Sequence, residues 1–229
     1  MTSHRKSRLT KQSTLTQRAV RIGLFAAGIA GVATAVPAQA AMAVSGEVAH
    51  AAVVTDHVFS HADRAHHTQE RDEFTVRQFG TVNATAVRNQ ADAVSSGCSA
   101  DDHCRSVALS FQIVTVAGVH THLNAVNLSN AVNKDCTGCQ TLAGAYQFVV
   151  STPTPLTLNA STQRQLAGVH RRLDALTHSS LPAADLKKQV DDLAAQVTGI
   201  LHSAVAHAPK QEATPTVTLH RHLDGWPGH

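Results

Sequence analysis

The sequence lacks the short motifs that carry common catalytic chemistries. It has no H-E-x-x-H zinc pair, no G-x-S-x-G nucleophile elbow, no P-loop and no G-x-G-x-x-G fingerprint. These absences point away from metallopeptidases, serine hydrolases, P-loop nucleotide hydrolases and dinucleotide-dependent enzymes, so the expectation is a non-enzyme without a cofactor. Acidic residues are missing from residues 1–40, where six of the nineteen Lys and Arg lie. The remainder holds 13 basic and 16 acidic residues, a net charge of −3 with His neutral. No basic stripe survives outside the leader, which removes the main support for nucleic-acid binding. Beyond residue 45 no apolar run approaches the ~20 residues that span a bilayer.

Residues 1–40 have the order of a secretory signal peptide. Arg5, Lys6, Arg8, Lys11, Arg18 and Arg21 form a positive region, and Ile22 to Val36 is uncharged and apolar. Pro37-Ala-Gln-Ala40 then supplies a small-x-small cleavage pattern, so a cut after Ala40 and a secreted, extracellular mature chain are expected. The alternative is an uncleaved membrane anchor, but the run is mostly Ala and Gly, which partition weakly into lipid. The leader has no twin arginine, which favours a Sec-type route.

The most organised stretch, Asn89 to Val150, contains the same pattern twice. Asn89-Gln-Ala-Asp-Ala-Val94, Cys98, Cys104 and Val107 to Val114 form one copy. Asn127-Leu-Ser-Asn-Ala-Val132, Cys136, Cys139 and Leu142 to Val149 form the other. In both, the first Cys follows its Asn by nine residues, and Phe111-Gln or Tyr146-Gln begins seven residues after the second Cys. Such self-similarity predicts a duplicated supersecondary unit.

Residues 41–73, rich in Ala and His, read as a largely disordered linker. Strand character begins at Phe74, whereas Ala86 to Val94 looks helical. Val107 to Val116 is ambiguous, and its β-branched run favours a strand. Pro153 and Pro155 suggest a connector after a domain at 74–152. Leu166, Val169, Leu173 and Leu176 recur in steps of three and four, as do Leu186, Val190, Leu193, Val197, Ile200 and Ala204. These stripes predict two helices within 153–207, the first opened by a Thr162/Gln165 capping box. The short break at Ser179-Ser-Leu-Pro182 favours an antiparallel helical hairpin. Residues 208–229 read as a disordered tail. The expected fold class is α+β, a duplicated Cys-stapled strand/helix unit followed by that hairpin.

All four cysteines belong to the duplicated unit. In an exported chain they read as two disulfides, with the duplication favouring the local pairs Cys98–Cys104 and Cys136–Cys139. A tetrathiolate zinc site is the competing reading, and redox chemistry at Cys136-Thr-Gly-Cys139 is a third. Fifteen histidines follow Ala40, and His120-Thr-His122 and His220-Arg-His222 would each put two imidazoles on one face of an extended chain. His120 and His122 are therefore the alternative metal ligands. Asn83, Asn127 and Asn159 match the glycosylation acceptor pattern.

The segments Cys104 to Val114 and Cys136 to Val149 resemble those of secreted actinobacterial proteins with no assigned activity. Similar paired-Cys units are appended to peptide zinc metalloproteases. The resemblance covers residues 74–150 and implies a bacterial, non-catalytic accessory module. The peptidase zinc motif is missing here, so no peptidase role follows. The functional expectation is a secreted interaction or cell-envelope protein with a protein or envelope partner, no nucleic acid and no membrane after cleavage. An extracellular metal-binding protein using His, and with it Cys, is the alternative.

Overall fold

The computed structural model describes residues 51–118, 121–209 and 213–225. The leader and its expected cleavage site lie outside them. Among the described residues the chain alternates between two sheets. Strands β1 (Ala51–Ala62), β3 (Ala84–Ser96) and β5 (His122–Lys134) form sheet A, in the order β1-β3-β5. Strands β2 (Thr68–Thr81), β4 (Arg105–Ala117) and β6 (Gln140–Thr152) lie side by side in sheet B, extended by β7 (Thr216–Gly225). All pairings are parallel except β6 with β7. Helices α1 (Ala160–Thr177) and α2 (Ala183–Ala206) separate β6 from β7.

This overturns the α+β expectation. Among the described residues a mostly β arrangement of seven strands in two sheets replaces a duplicated strand/helix unit, and a strand follows the helices. Residues expected to be a disordered linker form β1 and most of the first half of β2, and part of the expected tail forms β7. The segment read as a helix, Ala86 to Val94, is the centre of β3. The register explains the sequence pattern directly: Asn89 pairs with Asn127, Phe111 with Tyr146 and Gln112 with Gln147.

Strands β1 and β3 of sheet A alternate strictly, with Ala52, Val54, Asp56, Val58, Ser60 and Ala62 of β1 turned inward. Sheet B is covered on both sides, so β4 is buried from end to end. Such strands read as near-continuous apolar runs. One side of β4 and β6 carries Val107, Leu109, Phe111, Ile113, Tyr146 and Phe148 toward the helices, where Leu166, Val169, Leu173, Leu186, Val190, Leu193 and Val197 meet them. Each fully buried Leu there contributes about 1.5–3 kcal/mol relative to exposure. Phe111 anchors this layer, its ring 4.7 Å from Tyr146 and 5.7 Å from Phe148 between centroids. Gly144 in β6 lies where a Cβ would come 2.9 Å from a Leu223 methyl and 3.0 Å from one of Leu109.

The space between the sheets differs in kind. A valine cluster (Val54, Val87, Val114, Val149) occupies one end and an alanine cluster (Ala91, Ala93, Ala108, Ala143, Ala145) a middle section. Polar side chains bridge the sheets between and beyond them. Gln112 Nε2 donates to Asp56 Oδ2 at 2.8 Å, and Gln147 Nε2 donates to Gln112 Oε1 at 2.8 Å. Thr75 also donates its hydroxyl to Asp56. Ser110 Oγ donates to Asn89 Oδ1, whose amide in turn donates to Asn127 Oδ1. Hydrogen bonding removes most of the cost of burying these groups. Glu73 sits at the β1–β2 end of this interior, where burial, and then the nearby Asp56 charge, push its carboxyl above the usual range.

Local signals set the ends of the helices. Asn159 caps α1, its Oδ1 accepting from Thr162 N at 2.9 Å, so the cap lies three residues before the expected Thr162/Gln165 box. Pro182 stands at the N-cap of α2, where its missing N–H costs nothing. Arg105 locks the connection between the helices to sheet B. Its Nε donates to Glu70 Oε1 at 2.6 Å and its Nη2 to the Ser179 carbonyl at 2.9 Å.

Candidate interaction surface

Helices cover the outer side of sheet B, and among the described residues no element packs over the outer side of sheet A. Parallel pairing in exact register aligns its outward residues in rows. Val53 lies beside Ala86 and Asn124, and His57 beside Gln90 and Leu128. Phe59 lies beside Asp92 and Asn130, and His61 beside Val94 and Val132. The large apolar side chains exposed among the described residues are Val53 (72% exposed), Phe59 (48%), Leu123, Leu128 and Val132. All five belong to β1 or β5. Val53, Phe59, Leu128 and Val132 share the outer face, whereas Leu123 is registered with the inward Thr85. Scattered exposed hydrophobics need no explanation, but four on one face do.

A polar stripe crosses the middle of this face. Arg88 Nη2 donates to Gln90 Oε1 at 2.7 Å, and Gln90 Nε2 donates to Asp92 Oδ2 at 2.7 Å. His57 Nε2 is 2.7 Å from the same Asp92 oxygen. His61 Nε2 is 2.8 Å from Ser96 Oγ. The stripe pre-orients an acidic, a basic and two imidazole groups between apolar margins. Val53, Ala86, Arg88, Asn124 and Val126 line a shallow depression at one end. An apolar surface with an ordered polar centre suits docking of another macromolecule.

The two edges of sheet A are treated differently. On β5, the Ser129 amide donates to His222 Nδ1 at 3.3 Å and the Ala131 amide to Asp224 Oδ2 at 2.8 Å, so β7 blunts that edge. On β1, the His57 amide meets the Glu73 carboxylate. Side chains placed against edge amides are a recognised guard against unwanted strand pairing.

The cysteines form two disulfides, Cys98–Cys104 and Cys136–Cys139, with Cα separations of 6.2 and 5.9 Å. Both close turns that lead from sheet A to sheet B, and their sulfurs cluster with Ala62 at one end of the strands. The turns are also tied to each other: Thr137 N donates to the Cys98 carbonyl at 3.1 Å and Gln140 N to that of Cys104 at 2.8 Å. The cysteines are thus paired with one another, where a tetrathiolate zinc site or a reactive dithiol would need free thiols. His122 is exposed at the start of β5, and His120 lies outside the described residues. The other histidine pair sits on β7, where His222 Nδ1 is 2.7 Å from Ser129 Oγ.

Sequence reasoning missed the open face because its β1 portion was assigned to a linker. The alternation of Val53, Thr55, His57, Phe59 and His61 with smaller inward residues was the available signal. No protein-family model, curated protein or solved structure matches the chain.

Proposed function

We propose that the chain is an exported, non-catalytic interaction protein that docks a protein partner of the cell envelope on the outer face of sheet A. The observation that carries this reading is that, among the described residues, the exposed large apolar residues all lie in sheet A, while helices bury the opposite side of sheet B. The leader supports export by its basic, apolar and small-residue order, and paired cysteines fit a thiol-oxidising compartment. The repeated strand pairs, read as a duplicated accessory unit, place β3 and β5 side by side in the face. Their resemblance to modules appended to secreted enzymes fits a docking role.

The test has two arms. Intact-mass measurement of culture supernatant should find a chain beginning at Ala41; recovery of the full-length chain from membranes alone refutes export. A photo-crosslinking amino acid at Phe59 or Val132 should give a discrete adduct in producing cells, and the same group at Lys188 on α2 should not. The double substitution Phe59→Ser and Leu128→Ser should abolish the Val132 adduct while leaving the melting temperature nearly unchanged. Equal labelling from both sides of the molecule, or none from sheet A, refutes the surface.

A further inference from the structure

The C-terminal end of α1 faces β2 across a cluster of carboxylates and imidazoles that neither the disulfides nor the open face uses. His170, Asp174 and His178 recur at four-residue intervals, which stacks them along one side of the helix. Asp72 opposes them from β2. It is the register partner of Leu109, on the side of sheet B that faces the helix layer. Its side chain is only 8% exposed, and its Oδ2 is buried without a hydrogen-bond partner. His170 Nε2 lies 3.5 Å from that atom, and the His170 ring stacks on Phe74 with centroids 5.1 Å apart.

A carboxylate oxygen of Asp72, one of Asp174 and an imidazole nitrogen of His178 all lie within 4.8 Å of one another. Asp174 and His178 are 61% and 53% exposed at the side chain, so small rotations can draw both toward the fixed Asp72. A buried carboxylate oxygen without a hydrogen bond is costly, and a cation satisfies it. The last turn of α1 has no basic residue to offset the negative end of the helix, which also favours a cation there.

We propose that Asp72, Asp174 and His178 form a binding site for a first-row divalent metal ion of the Zn²⁺ class. Two carboxylates and a neutral imidazole balance a divalent charge, and the imidazole favours Zn²⁺, Co²⁺ or Ni²⁺ over Mg²⁺ or Ca²⁺. Three protein ligands leave positions for water or a small ligand. The residues are distinct from His120 and His122 and lie on the helix side of sheet B, so the site stands or falls separately from the docking face.

The decisive experiment titrates the disulfide-bonded mature chain with Zn²⁺ by calorimetry at about pH 7.5, where imidazole is mostly neutral. Imidazole NMR signals are followed in parallel. The expected result is one saturable site per chain whose first perturbed signal is that of His178. His178→Ala and Asp174→Asn should each weaken it by about tenfold or more, while His122→Ala and His202→Ala leave it unchanged. Millimolar Mg²⁺ or Ca²⁺ should not displace the ion. Asp72→Asn should abolish binding, and because that buried change can also unfold the chain, the exposed pair decides. Zn²⁺ affinity within twofold of the parent in both His178→Ala and Asp174→Asn overturns the site, as does a first response at any other histidine.

Discussion

Replacing Gln112 with Leu tests whether the polar interior between the sheets holds them together. Gln112 is fully buried, and leucine has a similar volume. The substitution removes three hydrogen bonds: to Asp56 Oδ2 and to the Arg88 carbonyl, both at 2.8 Å, and from Gln147 Nε2, also at 2.8 Å. A bond to a charged group is worth about 1.5–3 kcal/mol and neutral ones about 1 kcal/mol each, so the gross loss is about 3.5–5 kcal/mol. The added apolar burial offsets about 1–2 kcal/mol of it. A net destabilisation of about 3 kcal/mol is expected, a large part of the roughly 5–15 kcal/mol of a typical domain. Urea unfolding with disulfides intact, at a slope of about 3 kcal/mol/M, should show the midpoint falling by about 1 M with the slope unchanged. Asn130→Ala, on the open face, should stay within about 0.5 kcal/mol. The double substitution Asp56→Leu with Gln112→Leu should cost less than the sum of the two singles, because neither partner is then left unpaired. A Gln112→Leu chain as stable as the parent would refute the reasoning, since apolar contact alone would then join the sheets.

Two further expectations follow from the same structure. Glu73 has its carboxyl raised in the folded state, so the folded chain binds that proton more tightly than the unfolded one. Its contribution is therefore favourable at acid pH and is lost as pH rises from the ordinary carboxyl value through the raised one. Glu73→Gln should flatten the decline of stability over that window in denaturant melts at stepped pH, and an unchanged profile would contradict the assignment. Reduction of Cys98–Cys104 and Cys136–Cys139 should cost about 2 kcal/mol each from loop entropy. Hydrogen exchange should then show faster amides in residues 97–104 and 135–139 while α1 and α2 keep their protection. Uniform loss across the molecule would show that the bonds support more than their own turns.

The sequence alone determined what local periodicity and paired spacing can encode. The apolar steps of Leu166 to Leu173 and of Leu186 to Val197 marked the buried sides of two helices, because a helix face repeats within a few residues regardless of its neighbours. The equal offsets of Cys98 and Cys136 from Asn89 and Asn127 marked the local disulfides. Only tertiary structure decided that β1 and the first part of β2, before the strand expected from Phe74, are strands. Their inward residues include Asp56, Ser60 and Glu73, and Asp72 faces the helices, so a chain read for hydrophobic alternation looks solvated there. Those polar groups become interior groups when a second sheet supplies partners such as Gln112 and Ser106, far away in sequence. The same holds for Asn89 in β3, which looked helical until Ser110 and Asn127 stood beside it. The proximity of Asp72 to Asp174 and His178 was likewise invisible, since they come together only once α1 packs across β2.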